Sequence, residues 1–222
     1  VDQIAIIHLD GCSESTRILL SKSVSWKQEV KIIPLDSGFS SIWQFDSSEN
    51  GEIMNITIEG QVHSCFIDES TQVHLGPNFE IEKFASKLKN NGASSLDNEG
   101  LRLYQILNGL IDGEIVRNYK PIPLEVALSN DISFTKGCYT GQEIIARMDA
   151  RGALSRTLVT FASTELLDLG NHRVVGGGKL MVFDSINNNG MSFNLGLIHP
   201  DIADEGVEFE LDAIKCTILT KW

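Results

Sequence analysis

Phe134-Thr135-Lys136-Gly137-Cys138-Tyr139-Thr140-Gly141-Gln142-Glu143-Ile144-Ile145-Ala146-Arg147 is the stretch on which the reading of this chain turns. A lysine, a cysteine and a tyrosine share a short loop with Gly137 and Gly141. Glycine permits φ > 0 and close approach of the backbone to a partner, at an entropic cost. From Gly141 onward, Ile144, Ile145 and Met148 have the spacing of one buried helical face. Glu143, Arg147 and Arg151 fall at i, i+4, i+8 on another. The spacing therefore predicts a helix whose N-terminus follows Cys138. Unpaired N–H groups at such an end carry partial positive charge and favour an anion. A thiol placed there, two residues from Lys136, has two influences favouring a reactive thiolate. A tight strand-to-helix turn whose cysteine merely packs satisfies the same spacing equally well.

Composition bounds the class. At 222 residues the chain is one large domain or two small ones. Its 42% hydrophobic and 22% charged content is that of an ordinary globular chain. No run approaches the ~18 apolar residues of a membrane span, and none has a signal-peptide pattern. A cytoplasmic location is expected, with an organellar one left open because the first residue is Val1. Cys12, Cys65, Cys138 and Cys216 lie far apart with no CxxC, which predicts a reducing compartment and no metal held by this chain. His8, His63, His74, His172 and His199 are equally scattered and read as surface or hydrogen-bonded core residues.

The net charge of −12 argues against broad binding of nucleic acid or anionic membrane. That charge is uneven. Residues 102–156 hold seven Lys/Arg against six Asp/Glu, so the other eleven of 18 basic residues face twenty-four of the 30 acidic ones. This near-neutral island suits a small anionic ligand, or ordinary Glu–Arg pairing on a helix.

Taken in order, residues 1–71 read as strands: Ile4–Leu9, Ser23–Ile33, Ile42–Phe45, Ile53–Ile58 and Val62–Ile67. Glu49-Asn50-Gly51 between two of them signals a hairpin. Asn78 is placed to cap a helix over residues 79–89, with Phe79, Phe84 and Leu88 on one face. Asp97 or Asn98 caps a second over 99–108, stopped by Gly109. Pro121-Ile122-Pro123-Leu124-Glu125 leads into a short helix, where Glu125 reads as an exposed first-turn glutamate. Strands return at Thr157–Phe161, Leu180–Phe183, Phe193–Ile198 and Ile214–Leu219, with a hairpin turn at residues 187–190. Gly176-Gly177-Gly178-Lys179 lacks the spacing of a phosphate loop and is a turn.

Lys136-Gly137-Cys138-Tyr139-Thr140-Gly141-Gln142-Glu143, with Arg147 beyond, resembles the signature of the YgfZ-type folate-binding proteins, relatives of the glycine-cleavage T protein. The similarity runs from about Leu101 to Arg156 and, more loosely, to the C-terminus. Residues 1–97 show no match. The resemblance implies an α+β fold of antiparallel strands and helices, with a folate-binding domain over 1–150 and a small C-terminal β-barrel over 151–222. It also implies tetrahydrofolate binding in support of iron–sulfur cluster assembly or repair, and so of enzymes that modify tRNA. Its partners would be folate and iron–sulfur proteins or assembly factors, with no direct contact to nucleic acid or membrane. Cys138 is the implied reactive residue. Lys136, Gly137, Tyr139, Gly141, Gln142, Glu143 and Arg147 are the implied cofactor-binding residues. Glu125 joins them through a Pro-x-Glu or Pro-Glu element that the resemblance places close to the pterin, because a carboxylate matches an aminopyrimidine edge. Arg102 lies in a helix where the family carries an arginine, but Ile111 stands where its proline would fall, so no role is assigned. Two other readings share these residues: a folate-dependent aminomethyltransferase, and a non-catalytic scaffold for folate or protein in which Cys138 is inert.

Overall fold

A computed structural model of the chain describes residues 6, 13–25, 29–35, 37–46, 53, 55–152 and 154–222. Contacts group it into two compact units, Val1–Ser95 and Leu96–Trp222.

The first unit holds helix α1 (Ser13–Ser23), strands β1 (Phe39–Gln44), β2 (Ile56–Glu59), β3 (Val62–Phe66) and β4 (Gln72–Pro77), and helix α2 (Asn78–Asn90). Its sheet has the order β1-β4-β3-β2 and is antiparallel throughout. The first unit departs from the sequence reading at several points. Ser23 closes a helix, and the described residues 24–25 and 29–35 form no strand. Glu14 in the first turn and Lys22 in the last match the helix dipole, a signal that outweighs the loose alternation of Val24, Val30 and Ile32. The run at 4–9 falls, apart from Ile6, outside the described residues.

The expected pairing of Ile42–Phe45 with Ile53–Ile58 is not made, because β1 and β2 lie at opposite edges of the sheet. Residues 49–51 themselves lie outside the described residues. The hairpin is made instead at Gly60-Gln61, where Glu59 opposes Val62 and Gly60 takes φ 61°. A two-residue loop needs positive φ at that place, which glycine supplies.

Helix α2 packs on β1, β3 and β4. It turns Ile81, Phe84 and Leu88 inward, while Phe79 is 65% exposed beneath the Lys83 ammonium. Asn78 is not the cap. That place belongs to Pro77, and the Asn78 amide oxygen accepts a hydrogen bond from Ser40 Oγ at 2.7 Å.

The second unit opens with helix α3 (Asn98–Leu107), capped by the Asp97 carboxylate on Gly100 N–H at 2.7 Å. Helix α4 (Gly113–Tyr119) follows, capped by Asp112, and then a 3-10 turn over Pro123–Val126. Helix α5 (Gln142–Arg151) leads to strands β5 (Thr157–Ser163), β6 (Gly170–Arg173), β7 (Lys179–Asn188), β8 (Met191–Ile198), β9 (Glu208–Leu211) and β10 (Ile214–Lys221). These form an antiparallel sheet of order β6-β7-β8-β5-β10-β9. Its ends curl together: Val174 bridges Leu211, and Val175 N–H donates to Glu210 O at 2.8 Å. The result is a six-stranded half-barrel in a mixed helix and antiparallel-sheet protein, as the α+β reading anticipates.

Alternation along the strands sends side chains to two cores. Val159, Phe161, Leu180, Val182, Ile198 and Ile218 fill one. Leu158, Phe183, Leu195 and Leu197 meet Ile106, Ile115 and Val126 of the preceding helices in the other. Strands β5, β7 and β8 are thus covered on both faces. Asn189 and Gly190, at φ 53° and 84°, form the β7–β8 turn, and Gly176–Gly178 form the β6–β7 turn. Asn194, fully buried, accepts from Ser185 Oγ and donates to Ser163 Oγ and Phe161 O, so no polar atom there is stranded. The C-terminal Trp222 donates from its indole to Thr160, which donates to Ile106 O and so ties the barrel to the end of α3. Gly109 lies so close to that indole that a Cβ would meet it at 2.5 Å.

Candidate functional site

The Cys138 loop is built by a turn. Gln142 N–H donates to Tyr139 O at 3.3 Å, and Gly141 takes φ 86°, ψ −1°. Those angles are those of the third residue of a type II turn, which requires glycine or asparagine. Gly141 is at once that residue and the N-cap of α5, so the loop enters the helix without a side-chain cap. Gly137 differs. It has no positive φ, and a Cβ built on it meets nothing within 4 Å, leaving the backbone beside Cys138 uncovered.

Cys138 is exposed, ahead of α5 as the spacing predicts. Lys136 places its ammonium 5.0 Å from the centre of the Tyr139 ring, within cation–π range. The Tyr139 hydroxyl oxygen is buried and has no hydrogen-bond partner among the described residues. On α5, Arg147 donates to Glu143 at 2.7 Å, with both side chains largely in solvent. Ile145 is buried and Met148 half-buried, whereas Ile144 is 58% exposed, so the inward face is narrower than the expected three residues. Gln142 is half-buried at the first helical position.

Glu125 is 1% exposed, not the solvent-facing glutamate its place in the first turn of a short helix suggested. Its Oε2 accepts from Arg156 Nη2 at 2.6 Å, and its Oε1 accepts from Arg156 Nε at 3.2 Å and Ser155 Oγ at 2.9 Å. Sequence reading had no hold on this cluster. Arg156 counted only as one cation of the near-neutral island, and the 31 residues separating the partners leave no local pattern. Arg102 holds a structural place: it forks onto Asp184 and reaches Ser185 O, joining α3 to the bulge in β7. The 3-10 turn carrying Glu125 packs against both α5 and β5, and this is how the structure links Glu125 to the motif helix.

Among the described residues no three His, Cys, Asp or Glu side chains gather as a metal site would need. No described helix is long and apolar enough to cross a membrane. An open groove of about 670 Å³ lies on the half-barrel, bordered by Val175, Met191, Glu208 and Lys215; none of its lining residues belongs to 134–151. His74 is buried in the first unit, with Nδ1 2.8 Å from Ser64 Oγ and Nε2 3.2 Å from Gln44 Oε1. Burial lowers its pKa to about 4, so it is a neutral, hydrogen-bonded core residue. Burial likewise raises the Cys216 thiol to about 11.

No protein-family model matches the chain. A stretch of 53 residues is 45% identical to the tRNA-modifying protein YgfZ of Yersinia pestis (strain Pestoides F), covering 24% of this chain and 16% of the relative. The YgfZ of Yersinia enterocolitica is 42% identical over 55 residues, 25% of this chain and 17% of that protein. The matched stretch is thus a small part of these relatives' own length. In structure, the glycine cleavage system aminomethyltransferase T from Bartonella henselae superposes with a TM-score of 0.53 over 76% of this chain and 51% of that one, at 16% identity. That level of identity speaks for the fold alone. The chain is therefore YgfZ-like in part of its sequence and T-protein-like in its fold.

Proposed function

We propose that this chain binds tetrahydrofolate at the Cys138 loop and serves iron–sulfur cluster assembly or repair in the cytoplasm, and through it the modification of tRNA. The observation that carries the reading is the partial match to a tRNA-modifying YgfZ, in a chain that presents Cys138 to solvent on the Lys-Gly-Cys-Tyr-Thr-Gly-Gln-Glu turn. The fold shared with an aminomethyltransferase supports it.

In this reading residues 1–150 carry the folate region and 151–222 the supporting barrel. Cys138 is the nucleophile, and Lys136 supplies the nearby positive charge. Gly137 leaves room for the ligand beside the loop backbone, and Gly141 makes the turn. Tyr139 contributes its ring beside Lys136, while its buried hydroxyl has no partner among the described residues. Gln142, Glu143 and Arg147 lie on the first turns of α5, where an anionic folate tail gains from both the helix end and a guanidinium. The partners are iron–sulfur proteins or their assembly factors. Direct binding of nucleic acid is opposed by the net charge of −12.

The test is a calorimetric titration with tetrahydrofolate beside Cys138→Ala. Micromolar binding retained in the variant is expected, which assigns the cysteine to chemistry and not to affinity. Absence of heat in both proteins sinks the folate reading.

A further inference from the structure

We infer that the buried Glu125–Arg156 pair is a positioning device for the Cys138 loop. The inference rests on that loop being the working site, the reading given above. A carboxylate 1% exposed is tolerated only when paired and hydrogen-bonded. Glu125 meets both conditions through two consecutive residues, Ser155 and Arg156, at the root of β5. An ionised carboxylate offers about four lone-pair directions. Three are taken here, two of them on Oε1, so the two-oxygen face that a pterin edge would need is already engaged by the guanidinium. The carboxylate thus acts through the fold and not as a ligand.

The place of the pair shows what it holds. Glu125 sits on the 3-10 turn Pro123–Val126, which packs on β5 and on α5. That turn lies between Lys120 and Ala127, two non-glycine residues in the left-handed region at φ 45° and 60°. Such conformations persist only where surrounding structure enforces them, and the Arg156 fork is the charged contact that holds this segment to β5. α5 begins at Gln142, one turn after Cys138, so the seat of α5 on the 3-10 turn sets where the loop stands. Arg156, with a side chain 35% exposed, reaches the carboxylate from the rim; lysine keeps its charge but not its planar fork.

The experiment compares the iodoacetamide alkylation of Cys138 in the folded wild type, Glu125→Gln and Arg156→Lys, read by peptide mass spectrometry. Labelling of the buried Cys216 in the same samples reports whether the fold holds. The expected result is a Cys138 rate slowed by about threefold to tenfold in both variants, with Cys216 still protected. Tetrahydrofolate affinity weakens in parallel. Arg156→Lys is the arm that counts if Glu125→Gln does not fold. A Cys138 rate unchanged or raised in a variant that still protects Cys216 overturns the positioning role, leaving the pair as a stabilising contact. Alkylation does not depend on folate. A slowed rate in proteins that bind no folate therefore keeps this inference while removing the folate reading.

Discussion

The two sheets of this protein solve the same problem differently. The six-stranded sheet curls until Val174 meets Leu211, and nearly every residue of β5 and β8 is buried. The four-stranded sheet stays open. Helix α2 covers one face, while β2 stands at an edge with all four residues exposed, Ile56 at 62% and Ile58 at 64%. Curling encloses one apolar core of the larger sheet, and the preceding helices cover a second on its other face; its buried polar groups pair among themselves around Asn194. The smaller sheet buries a single face, and its polar guest is His74, held neutral between Ser64 and Gln44. The difference in burial is largest between β5 and β8 at the middle of the larger sheet and β2 at the edge of the smaller one.

The sharpest way to break this comparison is truncation of one residue in each sheet. Phe161 is 0% exposed inside the half-barrel, and Phe161→Ala is expected to cost about 3–5 kcal/mol through lost burial and the cavity left behind. Ile58→Ala, on the open sheet, is expected within about 0.5 kcal/mol of the wild type. Denaturant unfolding of both variants checks the pair. A cost at Ile58 matching that at Phe161 would mean the face of β2 is covered in solution, and the contrast would fail.

Next in size is a dependence on pH that arises in the smaller sheet. His74 titrates at about 4 in the folded chain, against 6.5 for the free side chain, because burial disfavours the imidazolium. The unfolded state therefore binds more protons between these values. The stabilisation is complete above pH 6.5 and is lost as pH falls towards 4, by up to about 3 kcal/mol. Asp68, whose carboxyl burial pushes up but hydrogen bonds from Ser70 and Thr71 hold below its ordinary 3.8, acts at lower pH. Denaturant unfolding followed by tryptophan fluorescence from pH 7 to 4.5 should show the loss, and His74→Gln should flatten it. An equal slope in the variant would place the titrating group elsewhere.

How much of this was legible follows from the same contrast. In the half-barrel the signals are local and strong: strand-forming runs such as Thr157–Phe161 and the Asn189-Gly190 turn placed four strands and a hairpin. β6 and β9, only four residues each, are too short to show a period and were missed. In the first unit equally local signals misled. Asn50-Gly51 is a good turn pair, but register in the sheet is set by which strand finds which partner, and β2 found β3 through Gly60. In the site, the Cys138 turn and the Glu143–Arg147 pair were legible because each lies within a few residues. The Glu125–Arg156 pair was not, since only folding brings residues 31 apart into one cluster.

The smallest expected effect separates stability from function on the motif helix. Glu143 is 84% exposed and paired with Arg147 one turn on. An exposed i, i+4 pair contributes about 0.3–0.5 kcal/mol, less in salt. Glu143→Gln should therefore move the thermal midpoint by no more than about 2 °C. A helix surface kept only for solubility would show nothing further. If Glu143 and Arg147 contact folate, however, freeing Arg147 from its partner changes the charge offered to the ligand while the fold stays in place. Tetrahydrofolate affinity in Glu143→Gln then changes several-fold although the melting curve barely moves. Should neither quantity move, the pair is an ordinary solvated face of α5, and recognition by this loop has to be carried by residues 136–142 alone.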